Sequence, residues 1–329
     1  MSKSIYSKLF SNYSPFFPIL LVAIIIYSVF LRSDILKPVM VLNDQIQIWS
    51  KFGFSHNFIT SNIQAFYNIE FFVSLLSIIL VFILGTSLIG KTAGLFMSAF
   101  IGLYPYYIVN TFSAETISLF FFILYLTFLF QASTKYSKLF SVFSGISFMI
   151  AFICNPVCLF LGLVIYAYQA VCIRNIAVLY NFLAFIGGAF IPYIIYMIFI
   201  SRLPGNAQYI PAFSSIFTEF MINFNQFLAT PWQYTKDVII PLFTQTLAYP
   251  ASYSAELKHL YYWHYAAVFS SVLGLLYSLI DEKARIITIM AIIILIEAFF
   301  MPINFGLLFL FVILIGSYLI DRTFNDVFC

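Results

Sequence analysis

Charge is what this chain has least of. Aspartate, glutamate, lysine and arginine make up 8% of its 329 residues, against about a quarter in a soluble domain. With 63% hydrophobic residues beside so few charges, a water-soluble core is excluded and a lipid surroundings is implied. Histidine is scarce too, at three residues, and the net charge of +3 is too small to suggest a nucleic-acid partner. The four cysteines, at 154, 158, 172 and 329, show no zinc-like spacing. Cys154 and Cys158 are four apart, but Pro156 between them breaks the helix that would align them, so both read as small buried thiols. The apolar runs also lack the period-2 alternation of a membrane β-barrel, which leaves helices as the spanning elements.

What is present is one apolar run after another. A span needs about 20 apolar residues. The runs predict about ten, at 15–31, 70–89, 92–110, 114–131, 139–154, 157–173, 177–200, 266–280, 286–301 and 303–320. Turns at Gly90-Lys91, Asn155-Pro156 and Asp281-Glu282-Lys283 separate several of them. The expectation is an all-α polytopic bundle of about ten helices in a single membrane domain, residues 1–329. Its first run, Pro15 to Leu31, follows Lys3 and Lys8 and reads as an uncleaved signal anchor with a cytoplasmic N-terminus.

Two long polar stretches, about 32–69 and 201–265, interrupt the runs and fall on the same side by this count. The positive-inside rule supports that orientation. Lys3, Lys8, Lys91, Lys135, Lys138, Arg174, Lys283, Arg285 and Arg322 fall on the cytoplasmic side. Only Arg32, Lys37, Lys51, Arg202, Lys236 and Lys258 fall on the outer side, although its loops are far longer. Tyr104-Pro105-Tyr106-Tyr107 and Tyr261-Tyr262-Trp263-His264-Tyr265 read as interfacial aromatic belts. His259 and His264 are five apart, which does not pair them on one helical face.

The stretch from Gly85 to Leu119, GTSLIGKTAGLFMSAFIGLYPYYIVNTFSAETISL, is the most distinctive. A span ends in Gly-Lys, the next closes on Leu-Tyr-Pro, and Ser-Ala-Glu-Thr opens a third. This order resembles the polytopic GT-C glycosyltransferases, in particular the bacterial aminoarabinose-transferase type and the protein mannosyltransferases. The likeness covers roughly residues 10–200, and beyond them only the layout matches. It implies a GT-C-like core with two long outer loops, in a multi-pass protein of the bacterial inner membrane. It also implies transfer of a sugar from a polyprenyl-phosphate carrier to a lipid or glycan acceptor on the outer face. A divalent cation is a possible cofactor of such a reaction.

An inverting transfer needs a carboxylate to take the acceptor's proton and positive charge for the departing phosphate. The resemblance assigns the base to Asp44, which also stands where an N-cap would stand before Ile46-Gln47-Ile48-Trp49. Asp34 is the reserve. Glu115 would assist from the first turn of its helix, a position that the helix dipole favours in any case. Two departures stand out: Asp44 is followed by Gln45 rather than an acid, and an expected Arg-Pro is Asn155-Pro156. Asn155, Arg202, Lys236, Lys258 and Tyr106 are the candidates for donor or acceptor binding. Glu297, inside a predicted span, is a further polar outlier. The departures also fit a non-catalytic membrane subunit of similar fold. A transporter fits less well, because no repeat symmetry or intramembrane charge cluster is visible.

Overall fold

The computed structural model describes residues 16–35, 46, 48–132, 137–173, 177–200, 213–247, 260–280, 285–300 and 305–328. These residues form fourteen helices: α1 (Phe16–Ile35), α2 (His56–Ser61), α3 (Ile63–Leu88), α4 (Lys91–Leu103), α5 (Pro105–Val109), α6 (Ala114–Gln131) and α7 (Ser137–Cys154). The set continues with α8 (Cys158–Ile173), α9 (Ala177–Ile200), α10 (Phe213–Ala229), α11 (Pro231–Leu247), α12 (Tyr261–Ser278), α13 (Arg285–Phe300) and α14 (Phe305–Phe328). Among the described residues there is no strand.

Four helices are long and apolar enough to cross a membrane, over Phe16–Ser33, Ile63–Leu88, Ser137–Cys154 and Leu179–Ile198. The ten-span layout is not confirmed: among the described residues, these four helices meet the length and composition of a span. The predicted span 92–110 is in fact two helices, because Pro105 has no N–H to continue the ladder and holds Tyr104 extended, at φ −74° and ψ 125°. The second polar stretch, expected as loop, winds into α10 and α11.

α4 is the centre of the packing, with α1, α3, α12 and α14 around it. α6, α7 and α9 extend the bundle from α3. α7 and α9 approach to backbone contact: a Cβ on Gly145 would lie 2.0 Å from the Phe185 carbonyl oxygen, and one on Gly188 would lie 2.2 Å from that of Val142. Such glycines replace the hydrophobic drive that lipid removes between membrane helices. The opposite face of α9 exposes Leu179, Leu183, Phe190, Ile191 and Ile194, as a lipid-facing helix does.

Both ends of α4 are finished by charged residues from other helices. At its start, where Gly90 offers no side chain, Asp321 of α14 accepts from the Ala93 N–H at 3.2 Å. At its end, the break before Pro105 strands the last carbonyls in an apolar interior. Arg32 of α1 reaches them, with Nη1 donating to the Gly102 oxygen at 2.9 Å and Nη2 to that of Ile101 at 3.4 Å. Ser28, one turn back on α1, donates to the Gly102 oxygen as well, at 3.0 Å. Arg32 is 1% exposed. An acid at the N-terminus and a base at the C-terminus both match the helix dipole.

This arrangement predicts that Arg32→Met lowers stability by about 2 kcal/mol, since it orphans the buried Ile101 carbonyl and leaves the Gly102 carbonyl with Ser28 alone. Arg32→Lys should recover part of the loss. Thermal unfolding in detergent would rank the three proteins, and equal midpoints would remove Arg32 from its capping role. Gly188→Leu should separate α7 from α9, read as a fall in the same midpoint and easier proteolysis between those helices.

Candidate functional site

One end of the bundle brings together Arg32, Glu70 and His264, each buried. The C-terminal ends of α1, α4, α7 and α13 meet there with the starts of α3, α6, α12 and α14. The described parts of both polar stretches sit on it. Residues 46–54 enter through Ile48, which is buried against Ile117 of α6 and Cys154 of α7. The segment turns back at Gly53, whose φ of 87° suits glycine, with the Phe54 N–H returning to the Trp49 oxygen at 3.3 Å. That turn stacks Trp49, Phe54 and Phe66 together, with Trp49 and Phe66 ring centroids 4.7 Å apart.

Trp49 then fixes a carboxylate that sequence reading left aside. Its indole Nε1 donates to Glu70 Oε1 at 2.9 Å, and Glu70 is fully buried. Glu70 stood at the edge of a predicted span, where an acid reads as interfacial. The signal for its burial lies in a tryptophan 21 residues away, which a local pattern cannot show. Because a carboxyl group stripped of water depends on its hydrogen-bond partners, Trp49→Phe should destabilise the protein by about 2 kcal/mol. Glu70→Gln should be milder than Glu70→Ala, as the Gln oxygen can still accept the indole bond; thermal unfolding of the three variants tests the order.

Lys51 is the second unanticipated group. Its Nζ donates to the Cys154 oxygen at 3.2 Å, the last carbonyl of α7 before the Asn155-Pro156 break. Burial pulls the Lys51 ammonium below its ordinary range, an effect the adjacent Cys154 thiol opposes in part. Asn155 itself is committed locally: its Oδ1 accepts from the Val157 N–H at 3.1 Å, which shapes the turn into α8. Cys154 and Cys158 are buried free thiols, as their positions in the sequence suggest.

Glu115 sits half-buried in the first turn of α6, two residues before Ile117. The Tyr106 hydroxyl donates to its Oε2. Tyr106 also packs on Phe309 at the start of α14, centroids 5.0 Å apart. The aromatic-belt reading fails for its neighbours: Tyr104 and Tyr107 are core residues, not interfacial ones. His264 departs in the same way. It is buried and bonds Tyr104, with Nδ1 and the hydroxyl 2.8 Å apart. Both rings are drawn inward because α12 packs on α14 beside α4.

The remaining candidates divide. Lys236 lies exposed on α11, its ammonium 5.1 Å from the Trp232 ring centroid. Asp34 falls in the last turn of α1 and Glu297 in the last turn of α13. Asp44, Gln45, Arg202, Lys258 and His259 lie outside the described residues. Among the described residues, no group of three or more His, Cys, Asp or Glu side chains could hold a metal ion. The structure thus brings Lys51, Asn155, Glu70, Glu115 and Tyr106 to one end of the bundle, with Ile48, four residues after Asp44, packed beside them. No family model, no curated protein and no solved structure matches the chain.

Proposed function

We propose that this chain is an integral-membrane glycosyltransferase of GT-C type. In this reading it moves a sugar from a polyprenyl-phosphate carrier to a lipid or glycan acceptor at the loop-bearing end. The observation that carries the reading is Lys51. Asn155-Pro156 leaves that corner without the cation a departing phosphate needs, and Lys51 brings an ammonium to the carbonyl one residue away. An ammonium has three donor protons, and the Cys154 oxygen takes one. The Asn155 oxygen is held by the Val157 N–H, and in this reading the amide nitrogen donates to the phosphate.

The chemistry follows from those parts. Asp44 takes the proton of the acceptor hydroxyl, whose oxygen attacks the anomeric carbon as the bond from that carbon to the phosphate oxygen breaks. The carrier phosphate leaves with the bonding pair, and Lys51 and Asn155 stabilise its charge. Glu115, steadied by Tyr106, orients the acceptor. Binding the lipid carrier at a helix-end corner keeps its chain in the bilayer and its sugar at the surface.

The test is mass-spectrometric profiling of surface glycolipids and glycans after gene deletion. One sugar should vanish, return with the wild type and fail to return with Asp44→Asn or Lys51→Met. The protonated lysine is the active form, and burial depresses its pKa, so donor affinity should hold at low pH. It should weaken as pH rises, at a pH below that of an ordinary lysine; Lys51→Arg should move that limb upward.

A second reading is a non-catalytic membrane subunit of similar fold. It is favoured by the engagement of the Glu115 carboxylate with Tyr106 inside the protein. Full restoration of the glycan profile by Asp44→Asn would select it.

A further inference from the structure

α10 and α11 form a hairpin held to the bundle in an unusual way. They pack on one another and on α13, with ring contacts to its last two residues, Phe299 and Phe300. Phe220 and Phe224 meet Phe300, with centroids 5.5 and 5.8 Å apart, while Phe227 and Tyr234 meet Phe299 at 5.5 and 5.4 Å. Two hydrogen bonds lock it: Asn223 Nδ2 to the Phe300 oxygen and the Tyr234 hydroxyl to the Phe299 oxygen, both 2.8 Å. A helix running beside α13 would also cover Ile292, Leu295 and Ile296, one and two turns further down. Those three stay exposed. The hairpin therefore crosses the tip of α13 instead of extending along it.

Its free surface is divided. Met221 and Leu228 lie exposed on the flank of α10 next to the Phe220–Phe224 seam. Glu219 projects about 160° from Met221 around the helix, with Gln226 beside it. On α11, Trp232 is 72% exposed and carries the Lys236 ammonium over its ring, while Asp237 turns away and bonds Gln233 at 2.8 Å. An apolar flank, an acid and amide edge, and an exposed Trp–Lys pair at the end of membrane-length helices fit one environment. It is the layer where acyl chains give way to phosphates.

We propose that the α10–α11 hairpin lies in the headgroup layer of the bilayer, with Trp232 and Lys236 at the lipid phosphates and Met221 and Leu228 in the upper acyl region. The lipid surface is the occupant because the hairpin joins the bundle at the tip of α13, an apolar helix whose Ile292, Leu295 and Ile296 are exposed as lipid-facing side chains are. The inference stands apart from the glycosyltransferase reading and survives its failure. It adds a floor to the loop-bearing end: an amphipathic ledge, about 25 Å long by its seventeen-residue helices, on which a membrane-borne ligand can approach.

Proteoliposomes with brominated lipids test it directly. Trp232→Phe changes an exposed ring and should fold as the wild type does, so the emission it removes belongs to Trp232. That component should be blue-shifted, and bromines high in the acyl chain should quench it at least twofold more than bromines near the chain end. On the Trp232→Phe background, Leu228→Trp should introduce emission quenched more evenly by the two, as befits a deeper residue. A Trp232 component that emits as in water and escapes both quenchers would overturn the proposal by setting the hairpin in the aqueous phase. Blue-shifted emission untouched by either quencher would overturn it in favour of a covering protein, a second copy included.

Discussion

A carbonyl without a donor is the constraint around which this protein is organised. Inside lipid no water satisfies a broken helix end, so each break must be completed by a side chain from elsewhere. Three helices of the bundle, α4, α7 and α13, stop just before a proline at the loop-bearing end, and each has its donors. Ser28 and Arg32 serve α4 before Pro105, Lys51 serves α7 before Pro156, and Asn223 and Tyr234 serve α13 before Pro302. These bonds do more than repair the backbone. Each ties a separate part of the chain to the bundle: the first helix, the first polar stretch and the second. The position of the loops follows from the position of the breaks.

The polar site inherits its geometry from the same arrangement. The 46–54 segment can bring Trp49 to Glu70 because Lys51 is anchored on α7 and Ile48 is buried between α6 and α7. Tyr106 can reach Glu115 because the break at Pro105 turns the chain across the bundle end rather than onward. A continuous helix through residues 92–110 would carry Tyr106 and Tyr107 away from α6. The proline is thus a device for folding aromatic residues back over the ends of neighbouring helices.

Much of the scaffold was legible in the sequence because lipid enforces simple rules. Continuous apolar runs declared helices, and Phe16–Ser33, Ile63–Leu88, Ser137–Cys154 and Leu179–Ile198 follow such runs closely. The break at Asn155-Pro156 was also visible. Pro105 was visible too, yet the apolar residues on both sides of it argued for one span, and hydropathy outweighed the missing N–H. α10 and α11 escaped because Asn, Gln and Thr dilute their apolar pattern, which a helix across a helix tip tolerates better than a span does. Around the site, the residues with recognisable local settings, Glu115 and Asn155, were found. Glu70, Lys51 and Arg32 were not, since their partners stand 21, 103 and 70 residues away. Whether a charge on an apolar chain is buried and matched is a property of the tertiary fold.

The double capping of α4 has a temporal side. Its C-terminal carbonyls find Ser28 and Arg32 as soon as α4 is made, because α1 precedes it in synthesis. Its N-terminal amide at Ala93 waits for Asp321, 228 residues later. For most of translation the central helix sits in the membrane with one pole open, and α14 closes it. The central helix is thereby completed last: a chain without α14 lacks the carboxylate that accepts from the Ala93 amide.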